Sequence, residues 1–163
     1  MNWTLAMRND ALDAFDLKLL ELMQQDTQRP MAAVAEAVGL SVPACYRRMR
    51  RLRASGAIAR EVAIVRPRTL GWPLSMLVMV TLEREDARTT QEMMAILRTE
   101  PEVIEAWNVT GDFDIAVRMI ARDMESYDDT VVRLFSANPR VRAFQTLVVI
   151  RELKELSPIP VAG

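Results

Sequence analysis

Eight arginines lie between Ser41 and Arg68, with Glu61 the only acid among them. Guanidinium forks pair with phosphate oxygens and with guanine edges, so arginine at this density points to duplex DNA. The flanks carry the opposite charge. Residues 1–40 hold three basic and six acidic side chains, and residues 69–163 hold ten basic and fifteen acidic ones. A chain of net charge −1 that places +7 in 28 residues either meets an anion there or shows a solvated arginine face. The chain has no histidine and one cysteine, Cys45. The commonest acid–base side chain and metal ligand is therefore missing, and a structural zinc site lacks its donors. No catalytic residue, metal or cofactor is assigned. Cys45 reads as a buried small hydrophobe, and a single cysteine suits a reducing compartment.

The arginines need a helix to present them. Leu12 to Gln25 reads as a first helix, with Leu12, Phe15, Leu19, Leu22 and Met23 at helical spacing. Asp13 is placed as its N-cap, Asp16 at its third position, and Leu12 and Leu17 as a hydrophobic staple. Pro30 to Val38 is a short second helix stopped by Gly39. Ser41 caps a third helix that runs to about Ser55 and closes at Gly56. Cys45, Met49 and Leu52 form its buried stripe. Tyr46, Arg47, Arg50, Arg51 and Arg53 project away from that stripe, with Arg48 on the border. A short helix, a glycine turn and an arginine-faced helix make a helix-turn-helix.

Beyond it the period changes. Ala57 to Val65 reads as a strand, broken at Arg66-Pro67-Arg68-Thr69, with Trp72 packing the linker. Strands are then expected at Met76–Leu82, Val103–Val109, Phe113–Ala121 and Val141–Leu153. Helices are expected at Thr89–Arg98 and Met124–Ala137, the latter capped by Asp123. Val103, Glu105, Trp107 and Val109 are placed on one face, with Trp107 a core or interface residue. Gly111-Asp112 makes a tight turn. The order β-α-β-β-α-β is the split ferredoxin-like arrangement. The fold class is thus α+β. Residues 1–58 form the DNA-binding domain, 59–73 a linker strand and hinge, 74–156 a ferredoxin-like domain, and 157–163 a tail expected to fray. The longest nearly apolar run, Trp72 to Leu82, is too short to cross a bilayer. Met1 to Asp10 lacks the pattern of a secretion signal. No membrane role is expected, and a cytoplasmic, nucleoid-associated location is.

These motifs together resemble the leucine-responsive and asparagine regulator (Lrp/AsnC, feast/famine) family of transcriptional regulators. Leu12-Asp13, Asp16 and Leu19-Leu20 match its first helix. Val38-Gly39-Leu40-Ser41, Cys45, Arg48, Met49, Leu52 and Gly56-Ala57-Ile58 match its DNA-binding helices. Val109-Thr110-Gly111-Asp112-Phe113-Asp114 matches the turn of its effector module. The resemblance runs from about Leu12 to Glu155. It implies a winged helix-turn-helix, a linker strand and a ferredoxin-like effector domain. It also implies dimers paired through their sheets, often octamers, and amino-acid effectors bound where dimers meet. The chain departs from the family pattern at Pro30, at Arg60-Glu61 and at Ile115.

Carried over residue by residue, the resemblance puts Ser41, Pro43, Tyr46, Arg47, Arg48, Arg50 and Arg51 on the DNA-facing helix. It puts Thr110, Gly111, Asp112 and Asp114 on the effector turn, with Met124, Leu147, Val148 and Val149 beside it. The chemistry is coherent. Asp112 or Asp114 can pair with an amino acid's ammonium, and backbone N–H groups at Gly111 can take its carboxylate. The expected function is a sequence-specific regulator of double-stranded DNA, homo-oligomeric and switched by a small effector. The alternative is an architectural DNA-compacting protein without a specific effector.

Overall fold

A computed structural model of the chain describes residues 12–84 and 86–161. The Met1–Asp10 segment read for a secretion signal lies outside the described residues. The chain divides into two compact units, one reaching Ala63 and resuming at Lys154, the other spanning Ile64–Leu153. No helix among the described residues is long and apolar enough to cross a membrane.

The first unit is three helices. Helix α1 (Ala14–Gln25) begins at a capping box, in which Asp13 accepts the Asp16 N–H and Asp16 accepts the Asp13 N–H. Helix α2 (Met31–Val38) ends at Gly39, whose φ of +78° is the left-handed conformation that stops a helix. Helix α3 (Val42–Ala54) starts at Ser41, whose hydroxyl accepts the Ala44 N–H at 3.4 Å. Leu19, Val34, Ala35, Val38, Cys45, Met49 and Leu52 close the core between them. Phe15 and Leu12, expected to face inward, are 42% and 40% exposed. The inward stripe of α1 is carried instead by Asp16, Leu19 and Met23.

Two expectations fail in this unit. Ala57–Val65 carries no strand, and the unit has no strand at all among its described residues. A strand needs a partner for its N–H and C=O groups, and no strand pairs with this segment, so Val62, Ile64 and Val65 stay exposed. The wing implied by the resemblance is therefore not built within one chain. The tail does not simply fray. Gln24 of α1 donates its amide to the Ile159 carbonyl at 3.1 Å and accepts the Ile159 N–H at 2.7 Å.

The second unit is one antiparallel sheet with helices on one face. Its strands are β1 (Leu74–Leu82), β2 (Val103–Asn108), β3 (Ile115–Ala121) and β4 (Val141–Val148), in the order β2-β3-β1-β4. Helices α4 (Ala87–Thr99) and α5 (Met124–Val131) supply the connections, α5 running on into a π turn at Val132–Ser136. Met76, Val78, Val80, Val117, Met119, Met93, Leu97, Leu134 and Phe135 form the core. This is the expected ferredoxin-like order. The final strand stops at Val148 rather than Leu153, with Val149 still donating to the Ser75 carbonyl at 2.9 Å near the start of β1. Trp72 stacks under the Arg122 guanidinium, 4.9 Å from ring centroid to carbon.

Strand β2 corrects the expected face. Its register slips between Val103 and Glu105, a bulge opposite Arg118–Met119. One extra residue inverts the alternation. Val103 and Ala106 face the core, while Glu105 and Trp107 lie on the opposite face, Glu105 paired with Arg118 at 3.2 Å.

Asp13, Asp86 and Asp123 each accept a backbone N–H at a helix start, and that bond holds each carboxyl below its ordinary value. A depressed folded pKa stabilises above the unfolded value and is lost as pH falls through the folded one. Asp123→Ala is therefore expected to lower the unfolding midpoint at pH 6. The deficit closes as pH drops below about 4, where the unfolded carboxyl protonates. Thermal denaturation across that range checks it.

Candidate nucleic-acid interface and effector cleft

Helix α3 presents two arginine stripes. Arg47 and Arg50 lie three residues apart, as do Arg48 and Arg51, and neighbouring residues on a helix are separated by about 100°. The stripes meet different surroundings. Arg48 reaches back to α1, donating to Asp13 at 2.7 Å and to Asp16 at 2.8 Å, and its guanidinium lies 5.3 Å from the Phe15 ring. Arg51 also donates to Asp16. Asp16 is fully buried. Its carboxylate thus receives both arginines and the Asp13 N–H. Arg47 and Arg50 have no ion-pair partner among the described residues, and Tyr46 beside them is exposed. Arg53 makes a bidentate pair with Glu61, both contacts at 3.0 Å.

The expected DNA-facing set is thereby divided. Tyr46, Arg47 and Arg50 stand free on the outer surface. Ser41 caps the helix and Pro43 occupies its first turn. Arg48 is a correction: its guanidinium is turned toward α1, drawn by a carboxylate that sequence spacing placed only at a helix start. Arg51 is half exposed and shared with Asp16.

In the second unit a cleft of about 410 Å³ is lined by Asp86, Ala87, Thr90, Gln91, Asn108, Val109 and Asp114. The start of α4 forms one wall and the ends of β2 and β3 the other. Of the expected effector residues only Asp114 lines it. Asp114 is already engaged, its carboxylate accepting the Leu82 N–H at 2.7 Å where the β1–β4 register shifts. Its backbone bonds Val80 and Val109, so it ties the turn to two strands. Thr110, Gly111 and Asp112 are exposed beside the cleft, with Gly111 at φ +129°, a conformation open to glycine. Asp86, Thr90, Gln91 and Asn108 were not foreseen, since α4 begins two residues earlier than its apolar spacing implied.

Met124, Leu147, Val148 and Val149 do not join this cleft. Met124 follows β3, beyond Ala121, which pairs with Leu74. The turn lies beyond Ile115, which pairs with Val80. Six residues of strand, roughly 20 Å, separate the two ends. Leu147 and Val148 also point to opposite faces, because Leu147 pairs with the outward Leu77 and Val148 with the buried Met76. One chain therefore supplies the expected effector residues as two separate groups.

A helix-turn-helix with an arginine-faced second helix, joined to a ferredoxin-like module with a polar cleft, defines a DNA-binding regulator with a ligand-binding domain. Residues 12–53 match the model of the AsnC-type helix-turn-helix domain, and residues 75–159 match that of the Lrp/AsnC ligand binding domain. The chain belongs to the Lrp/AsnC family of transcriptional regulators. It is 38% identical to an HTH-type transcriptional regulator of Sinorhizobium fredii over 92% of this chain and 89% of that one. It is 31% identical to a leucine-responsive regulatory protein of Rhizobium meliloti, over 92% and 96%. Its fold matches a transcriptional regulator from Neisseria meningitidis solved as an L-methionine complex, with a TM-score of 0.84, 25% identity, and 91% and 96% coverage.

Proposed function

We propose that the protein is a sequence-specific regulator of double-stranded DNA in the nucleoid whose oligomeric state responds to an amino acid. The observation that carries this reading is the free Arg47–Arg50 stripe on a helix that begins at an open, uncharged N-terminal turn. That order suits entry of the helix start into a major groove, with arginines reaching bases and phosphates. The amino-acid reading draws on the matched ligand-binding domain, on the relative solved with L-methionine, and on the polar cleft beside Gly111. Asp112 supplies an unengaged carboxylate for an ammonium, and Gly111 an approachable backbone for a carboxylate.

The separation of the effector residues supports an oligomer. The turn group and the Met124–Val149 group come together only when a second copy brings its own. A dimer has a natural surface on the sheet face opposite the helices, where Leu77, Trp107 and Leu147 are 36%, 45% and 46% exposed. Exposed apolar side chains in a contiguous patch mark an interface. The unpaired Ala57–Val65 segment offers a second edge for another copy to complete. Trp107→Asp is expected to convert the assembly to a monomer, read as mass by sedimentation.

A thermal-shift panel of the twenty amino acids at millimolar concentration tests the effector. A ligand at 100 times its Kd stabilises by about 2.7 kcal/mol, a shift of several degrees. One compound giving that shift, abolished by Asp112→Ala together with Gly111→Val, supports the reading. No shift with any of them favours an architectural, effector-free role instead.

A further inference from the structure

The arginines of α3 are not equivalent, and the difference originates in α1. We propose that Asp16, assisted by Asp13, is a positioning residue of the DNA-reading helix: it removes Arg48 from the DNA contacts and restrains Arg51, leaving Arg47 and Arg50 to neutralise phosphate. The inference rests on the DNA-binding reading above and adds which side chains carry it.

Asp16 is fully buried with its partners in place, so Arg48 cannot leave without uncovering a carboxylate that then loses a charge-assisted bond. Arg48 contacts both Asp13 and Asp16, at 2.7 and 2.8 Å, and its side chain is 21% exposed. A phosphate offers Arg48 the same charge-assisted hydrogen bonds it already has, while its departure strips a buried carboxylate. The Arg53–Glu61 pair differs: both partners are substantially exposed, at 47% and 35%, so water or phosphate replaces either cheaply. Arg51, 49% exposed and bonded to Asp16 alone, stands between these cases. Arg47 and Arg50 have nothing to give up. The carboxylate pair on α1 therefore sorts one arginine-rich helix into a structural stripe and a DNA-facing stripe about 100° apart.

The test is the slope of log affinity against log salt for a duplex oligonucleotide, which counts phosphates neutralised at about 0.9 per contact. A role confined to folding moves the unfolding midpoint and leaves this slope alone. Arg47→Met and Arg50→Met are each expected to flatten the slope by about 0.9. Arg48→Met is expected to leave it unchanged. Asp16→Asn is expected to steepen it by about 0.9, as Arg51 is released while Asp13 still holds Arg48. If Arg48→Met does not fold, Asp16→Asn with Arg48→Met removes both charges, and its slope should equal that of Asp16→Asn alone. Flattening by Arg48→Met to the extent seen for Arg47→Met overturns the inference, as does an unchanged slope in Asp16→Asn. Binding by the unaltered protein that shows no salt dependence overturns the DNA reading itself, and this inference with it.

Discussion

Removing Arg48 and Arg51 together by alanine is expected to destabilise the first unit by about 3 kcal/mol, the lower end for breaking a buried ion pair, because the arginines covering Asp16 are themselves 21% and 49% exposed. Asp16 is fully buried, and its remaining partner would be the Asp13 N–H alone. Water reaches the carboxylate once the two arginines are cut back, which limits the cost, but one remaining hydrogen bond does not replace the charge-assisted ones lost. In a unit of about sixty residues such a loss moves the unfolding midpoint down by more than about 10 °C. Adding Asp16→Leu to the two arginine changes should recover most of the loss, since the charge itself is then gone. Denaturant unfolding of the single, double and triple variants gives the comparison. A double variant as stable as the parent would show that Asp16 does not need its arginines.

The second large effect is on DNA. Arg47→Ala with Arg50→Ala removes two free guanidinium groups, and each phosphate contact contributes about 0.9 to the salt slope. At 0.1 M salt two contacts correspond to about a 60-fold loss of affinity, and at 0.3 M to about 9-fold. The two binding lines should converge near 1 M. A loss that stays constant across salt would instead mark these side chains as readers of base edges, where a bidentate contact discriminates by about 1–3 kcal/mol. Fluorescence anisotropy of a labelled duplex distinguishes the two.

Much of the fold could be read from local chemistry. Asp13 and Ser41 cap helices where their side-chain oxygens meet the third N–H, Gly39 stops α2 with a positive φ, and the Asp123 cap starts α5. Such signals act over three or four residues and need no tertiary context. The buried stripe Cys45, Met49 and Leu52 was readable for the same reason. What escaped depends on distance or on number. The contact of Asp16 with Arg48 spans 32 positions, and no local spacing announces it. The bulge in β2 comes from pairing with β3, so strict alternation put Val103 on the face of Glu105 and Trp107, whereas it turns to the core. Ala57–Val65 has a strand's composition but no partner in one chain.

The effector residues failed to converge for a related reason. The resemblance places Thr110, Gly111, Asp112 and Asp114 beside Met124 and Leu147–Val149, yet in one chain the sheet holds the two groups at opposite ends. The cleft that does form recruits Asp86, Thr90 and Gln91 from the first turns of α4. That recruitment depends on where α4 begins, and Asp86 rather than the apolar spacing sets it. Asp114 is a further lesson in competing roles. A carboxylate that matches a ligand-binding motif also accepts the Leu82 N–H through one of its two oxygens.

The central claim is that α3 binds duplex DNA sequence-specifically, with its free arginine stripe anchoring the helix on phosphates. The measurement that tests it most directly is the affinity of the full chain for a duplex enriched from a randomised pool against an unenriched duplex, followed across salt. The account predicts enriched binding at least about 1,000-fold tighter, a steep negative salt slope for both duplexes, and loss of about two units of slope in Arg47→Ala/Arg50→Ala. Equal affinity for both duplexes, or a slope that the double variant leaves untouched, would contradict it.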